Sequence, residues 1–213
     1  VDFYAEGVIL WLEIDALLRQ KSGEKISLDD FCQQFFCMEA GYPRVKTYDD
    51  AEIYFLLDQL VRFDWKSHLE ARVRARDGKA FGQALEAAGW RLVYNDQENQ
   101  KMLQMEANSE GFQRMFSVGL NLGEKGQILD VREGSAASQA GLFPGMNLIA
   151  VNRHKFSARR LDDAIRQGKV ELLVEHAGVY SDFRLEYQGG LRHPHLQRIS
   201  TVPDRLSALL KAK

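Results

Sequence analysis

The sequence predicts an α+β protein in which a helical segment precedes a small module of short strands. Two observations carry that reading. Through the first 90 or so residues apolar side chains recur at helical spacing. After Trp90 glycines crowd together and β-branched runs appear. The composition agrees: of 213 residues, 45% are hydrophobic and 27% charged, which suits packed cores rather than disorder or a fibre.

The first helix is predicted over residues 3 to about 20. Val8 to Leu12, Ile14, Leu17 and Leu18 leave few polar positions on its circumference, so it is expected to be buried on most sides. Gly23 suits the left-handed position that stops a helix. Ser27-Leu28-Asp29-Asp30 opens a second helix, with Ser27 as the expected cap and Phe31, Phe35 and Phe36 as its apolar face. Gly41-Tyr42-Pro43 marks a loop. Thr47-Tyr48-Asp49-Asp50 then starts a third helix with Ile53, Phe55, Leu56, Leu57, Leu60 and Val61 available for packing. Helical pieces follow over Trp65 to Ala75, broken at Asp77-Gly78, and over Phe81 to Ala88, closed by Gly89.

Beyond that point Arg91 to Tyr94 reads as a strand and Asn95 to Ser109 as a polar stretch. Phe116 to Leu122, Gln127 to Val131, Asn147 to Asn152, Val170 to His176 and Ser181 to Tyr187 read as strands. A single helical turn lies within Gly134 to Gly141, and a capped helix over Ser157 to Gln167 carries Leu161, Ala164 and Ile165. Five strands and two helices thus fall within residues 112–187, which can bury one core between two layers. Such a sheet leaves an edge beside the longer helix, where an extended peptide can add as a further strand. The tail from Arg192 ends in a short helix after Pro203 and is expected to dock on a neighbouring domain.

Several function classes find no support. The formal net charge is −2, so the molecule as a whole is not drawn to nucleic acid. Arg72, Arg74 and Arg76 alternate, yet Glu70 and Asp77 flank them, so they read as a solvated face. No apolar run approaches the roughly 18 residues of a membrane helix. Cys32 and Cys37 are the only cysteines; spaced five apart, they read as reduced thiols near a core, which points to the cytoplasm. No His-Glu-x-x-His zinc motif is present, and His68-Leu69-Glu70 and His193-Pro194-His195 do not supply its spacing. Trp11, Trp65 and Trp90 sit in apolar contexts that suit a core. Val1 is not an initiator Met and helix begins at once, so the chain reads as the C-terminal part of a longer protein.

Two resemblances sharpen this picture. Gly134-Ser135-Ala136-Ala137-Ser138-Gln139-Ala140-Gly141-Leu142, followed by Gly145-Met146-Asn147-Leu148-Ile149-Ala150-Val151-Asn152, resembles the PDZ domains of bacterial proteases. Their pattern runs Gly-Ser-Pro-Ala-Ala, Ala-Gly-Leu, then Gly-Asp and an apolar strand. The sequence departs from it at Ala136, Asn147 and Arg153. The resemblance implies a PDZ-like β-sandwich or barrel with two helices over 112–190. It places Ser117-Val118-Gly119-Leu120 at the carboxylate-binding loop, with the N–H groups of Val118, Gly119 and Leu120 as donors. Leu161 and Ile165 would wall the side-chain pocket, and Arg114 would attract a carboxylate. Peptides or protein C-termini are the partners it implies, unless the groove is filled from within or the module only braces its neighbour.

The helices resemble the region after the zinc site in the glycyl aminopeptidase family. Tyr4-Ala5-Glu6-Gly7, the apolar helix with Asp15 and Arg19, Ser22-Gly23 and Ser27-Leu28-Asp29-Asp30 carry that likeness. These are zinc metallopeptidases with a helical domain followed by a PDZ domain. The resemblance implies that residues 1–111 are the helical part of a metallopeptidase catalytic region, with 191–213 as a tail. It implies an upstream catalytic domain in the same protein holding zinc, and no metal in this segment. Tyr4, which opens the Tyr-x-x-Gly helix, would hydrogen-bond the oxyanion of the tetrahedral intermediate. Glu6 stands where Lys is frequent. The alternative is a non-catalytic peptide-binding adaptor on the same scaffold.

Overall fold

A computed structural model describes residues 3–36, 45, 47–75, 78–108 and 111–211. The expectations for Cys37, Gly41-Tyr42-Pro43, Arg76 and Asp77 lie outside the described residues. The chain divides into two compact units: residues 1–92 with 196–213, and residues 93–195.

The first unit opens with α1 (Phe3–Ser22), α2 (Leu28–Phe36), α3 (Asp50–Leu60), α4 (Trp65–Arg74) and α5 (Ala80–Ala87). Ile14, Leu18, Phe31, Phe35, Leu57, Val61, Trp65 and Leu69 form its main core. Most apolar positions predicted to pack do so, because each helix carries them on adjacent turns, but Val8, Phe36 and Phe55 are largely exposed and α1 is not buried on most sides. Carboxylates hold the helix starts. Asp49 caps α3 by accepting the Glu52 N–H at 2.9 Å, and Asp64 caps α4 through the Ser67 N–H at 3.1 Å. Ser27 does not cap α2 as expected. Its N–H and hydroxyl both donate to Asp30, while the fully buried Asp15 accepts the Leu28 N–H at 2.9 Å. A carboxylate offers more acceptor sites than a hydroxyl and takes both roles. Asp15 also receives Arg19 Nε at 2.8 Å, so its buried charge is paired.

Strand β1 (Trp90–Asn95) leads from the first unit into the second. There follow α6 (Gln100–Ala107), β2 (Gly111–Arg114), β3 (Leu120–Gly123), β4 (Ile128–Val131), α7 (Ala136–Gln139), β5 (Asn147–Val151), β6 (His154–Lys155), α8 (Ala158–Gln167), β7 (Val170–His176) and β8 (Val179–Leu185). The chain returns through β9 (His193–Arg198), which pairs with β1, and ends in α9 (Arg205–Leu210). The C-terminal segment packs on the helices: the N–H groups of Arg205 and Leu206 donate to Ala88 O, and Leu206 and Leu209 rest on Leu12, Leu85 and Ala88.

The second unit has two open antiparallel sheets, ordered β2-β3-β4 and β6-β5-β7-β8. Neither closes into a barrel. An isolated bridge between Gln127 and Asn147 joins them, and their inner faces share one core of which Leu120, Leu122, Leu148, Leu161, Ile165 and Leu172 are fully buried parts. Four elements were not read from the sequence: α6, β2, the two-residue β6 and β9. Helix α6 buries no residue, and β2 has four residues, too few for an alternating pattern to stand out.

Candidate functional site

The loop and helix singled out by the sequence come together in the second unit. Strands β2 and β3 form a hairpin whose turn, residues 115–119, contains Ser117, Val118 and Gly119. Its register runs Gly111 with Gly123, Phe112 with Leu122, Gln113 with Asn121 and Arg114 with Leu120. Along its other edge β3 pairs with β4, Leu120 lying opposite Val131. Both edges of β3 are therefore hydrogen-bonded within the chain.

The turn is held from several directions. The Arg114 carbonyl accepts two of its N–H groups, from Ser117 at 3.1 Å and Gly119 at 2.9 Å. The Val118 carbonyl accepts the Ala137 N–H at 3.0 Å, and the Gly119 carbonyl accepts the Arg132 N–H at 2.9 Å. Gly119 has φ +87°, and a Cβ there would collide with Ser135, so both conformation and space call for glycine. The Ser117 hydroxyl accepts the Arg192 N–H at 3.0 Å. Val118, Leu120, Leu161 and Ile165 are fully buried and share their cluster with Phe112 of β2. The Phe112 ring also stacks on Phe156 at 6.0 Å, just before α8.

Arg114 sits at the end of β2, 9% exposed. Its Nε and one terminal nitrogen grip Asp162 of α8 at 2.5 and 2.9 Å, a bidentate pair. The other terminal nitrogen donates to Glu106 of α6 at 3.2 Å and to Gln113 O at 2.6 Å. Burial works against the charged form, but the hydrogen bonds and charge of Asp162, with those of Glu106, more than reverse it and hold the guanidinium above its usual range. The buried His193 lies in the same field. Burial first, then the Arg114 charge, push its imidazole below the ordinary range, against the pull of Asp162, Glu106 and Glu98. The sequence reading missed Asp162, Glu106, Phe112, Phe156 and Arg192. The alternation of Phe112 and Arg114 on one face was the available signal for β2.

In the first unit Tyr4 stands in the first turn of α1, 74% exposed, its ring 4.3 Å from Phe3. Beside it runs an open, mainly apolar groove of about 1110 Å³ between α1, α4 and α5, lined by Glu6, Val8, Ile9, Val73 and Phe81 among others. Of the alternating arginines, Arg74 reaches Glu70 at the surface, whereas Arg72 is drawn inward onto Glu13 at 2.8 Å. Glu13 also meets His68 Nε2 at 2.9 Å. Burial raises the Glu13 carboxyl, but hydrogen bonds from His68 and Arg72 and their charges leave it below its usual range.

Among the described residues no group of three or more His, Cys, Asp or Glu side chains is gathered as a metal site. His195 contacts Gln97 O at 2.9 Å, while His193 is buried beside Arg114. No described helix is long and apolar enough to cross a membrane. Cys32 is half-buried.

The sequence matches no family model and no curated protein. Among solved structures, an aminopeptidase N family protein from Idiomarina loihiensis matches 100% of the chain with a TM-score of 0.66 at 17% identity. The chain has the fold of a segment of that protein. It spans 36% of that protein's length, and at this identity the likeness is one of fold. Further matches include a PDZ domain protein from Parabacteroides distasonis, at 11% identity over 38% of this chain and 32% of that one, with a TM-score of 0.29. The HtrA3 PDZ domain bound to a phage-derived ligand matches at 12% identity over 53% of this chain and 96% of its own, with a TM-score of 0.28.

Proposed function

We propose that the chain is the C-terminal segment of a zinc aminopeptidase resembling the glycyl aminopeptidases, and that its second unit is a PDZ module able to receive an extended peptide. The observation that carries the proposal is the fold likeness over the whole chain to part of an aminopeptidase N family protein. Two local features support it. Val118 of the 115–119 turn and Leu120 of β3 share one buried cluster with Leu161 and Ile165 of α8, which supports the PDZ reading. Tyr4 is exposed at a helix start beside a wide apolar groove, as expected of a residue whose working surroundings lie on another domain.

On this reading the zinc, its ligands and the general base belong to the upstream catalytic domain, which covers the face formed by α1, α4 and α5. The Tyr4 hydroxyl would donate a hydrogen bond to the oxyanion that develops as the peptide carbonyl is attacked. One such donor is worth about 10²–10³ in rate. The test is hydrolysis of glycyl and alanyl chromogenic substrates by the intact protein, with and without a chelator. Chelator-sensitive turnover that drops by about 10² in Tyr4→Phe is expected. A drop of no more than about twofold removes Tyr4 from that role. No turnover by folded protein removes the aminopeptidase reading in favour of a peptide-binding adaptor.

A further inference from the structure

We propose that strand β2 is a resident ligand of the module's peptide groove, and that the groove selects an extended segment with an aromatic residue followed two positions later by a basic one, rather than a free carboxyl terminus. This rests on the PDZ reading above. An incoming peptide would pair with β3 along the edge not used by β4, and would face α8 with its side chains. Every part of that position is filled by residues 111–114. Their backbone pairs antiparallel with β3 over Gly111 to Arg114. Phe112 drops into the cluster that contains Leu161 and Ile165 and stacks on Phe156. The Arg114 carbonyl takes the Gly119 N–H, one of the three donors a carboxylate would otherwise draw on, together with the Ser117 N–H.

The side-chain chemistry at that end is acidic. Asp162 on α8, in a bidentate pair, and Glu106 on α6, through a single bond, converge on one guanidinium, which a carboxylate could not replace without like-charge repulsion. A peptide ending there in a free carboxylate would place it against Asp162. A continuing backbone with a basic side chain satisfies both carboxylates and leaves the loop N–H groups bonded to a carbonyl. The Arg192 N–H on the Ser117 hydroxyl braces the turn from a third element. Because β2 joins β3 through so short a turn, its effective concentration reaches at least the millimolar range, and a free peptide must compete against that.

The test uses the full chain, a fluorescein-labelled, amide-capped Gly-Phe-Gln-Arg-Met probe, and backbone amide exchange. In Arg114→Ala the Ser117 and Gly119 amides should exchange faster than in the parent chain, and probe affinity should rise by about tenfold or more. Replacing Phe or Arg in the probe should undo that gain, while a free carboxylate in place of the amide cap should not improve it. Asp162→Asn, a milder change, should also speed exchange but lose the preference for the basic probe. Equal probe affinity in the parent chain and both variants overturns self-occupation and leaves the PDZ reading standing. If exchange accelerates but neither variant binds any probe, the peptide-binding reading falls and the inferred selectivity with it.

Discussion

Arg114 is held in the interior by Asp162 and Glu106. A buried guanidinium with two carboxylate partners is stable only while all three remain together, since removing one leaves charge uncompensated in the interior. His193 depends on the same balance. Its lowered affinity for a proton in the folded chain means that the unfolded chain takes up more protons as pH falls below the ordinary imidazole value of about 6.5. The stability it contributes is therefore present above that value and lost as pH falls through the lowered folded value. His193→Gln should flatten this part of the stability curve. Urea midpoints for parent and variant at about pH 5 and pH 8 should differ in their pH slope, with the parent steeper; parallel curves would show that His193 titrates as in the unfolded chain. Asp15, Glu13 and Arg72 carry a related lesson. The sequence read Arg72 as part of a solvated face, yet it turns inward onto Glu13 of a facing helix, and Asp15 is buried against Arg19 on the next turn. Only the contact, not the residue type, decides that.

Among the elements, the β2–β3 hairpin departs most from what the pattern foretold. The sequence placed a strand from Phe116 to Leu122, but its first four residues form the turn, and strand begins at Leu120. Gly119 explains the offset. Its positive φ and its closeness to Ser135 put a sharp corner where alternation alone predicts extended chain. Gly119→Ala should cost about 2 kcal/mol or more in stability through strain and collision, and should disturb the turn N–H groups first. Thermal unfolding, together with amide exchange at Ser117, checks this. An unchanged midpoint would mean that the backbone relaxes without cost. Helix α8, by contrast, was legible from end to end. Ser157 caps it through the Arg160 N–H, Gly168 closes it at φ +69°, and Leu161, Ala164 and Ile165 face the core. Local signals sufficed there because both ends and the buried face lie within one continuous segment.

At the level of the molecule, the main core among the helices and the core between the two sheets have no residue in common. Leu18→Ala in the first and Leu148→Ala in the second should each cost about 2–5 kcal/mol, since each deletes a fully buried side chain. With no shared partners, the double variant should lose close to the sum, within about 0.5 kcal/mol. Calorimetry of the three variants measures this, and a marked shortfall would reveal coupling between the cores.

The sequence alone determined the α+β class, most helix positions, the apolar faces that became cores, and the glycine-rich motif that led to the loop and to α8. Those features depend on residues near one another in the chain, whose spacing and turn chemistry are written locally. Tertiary structure alone decided that β3 is paired on both edges, that Arg114 turns to Asp162 and Glu106, and that the Arg192 N–H braces the turn at Ser117. These contacts join residues 8, 48 and 75 positions apart. Charge pairing and edge pairing at such separations leave no periodic trace in a single sequence.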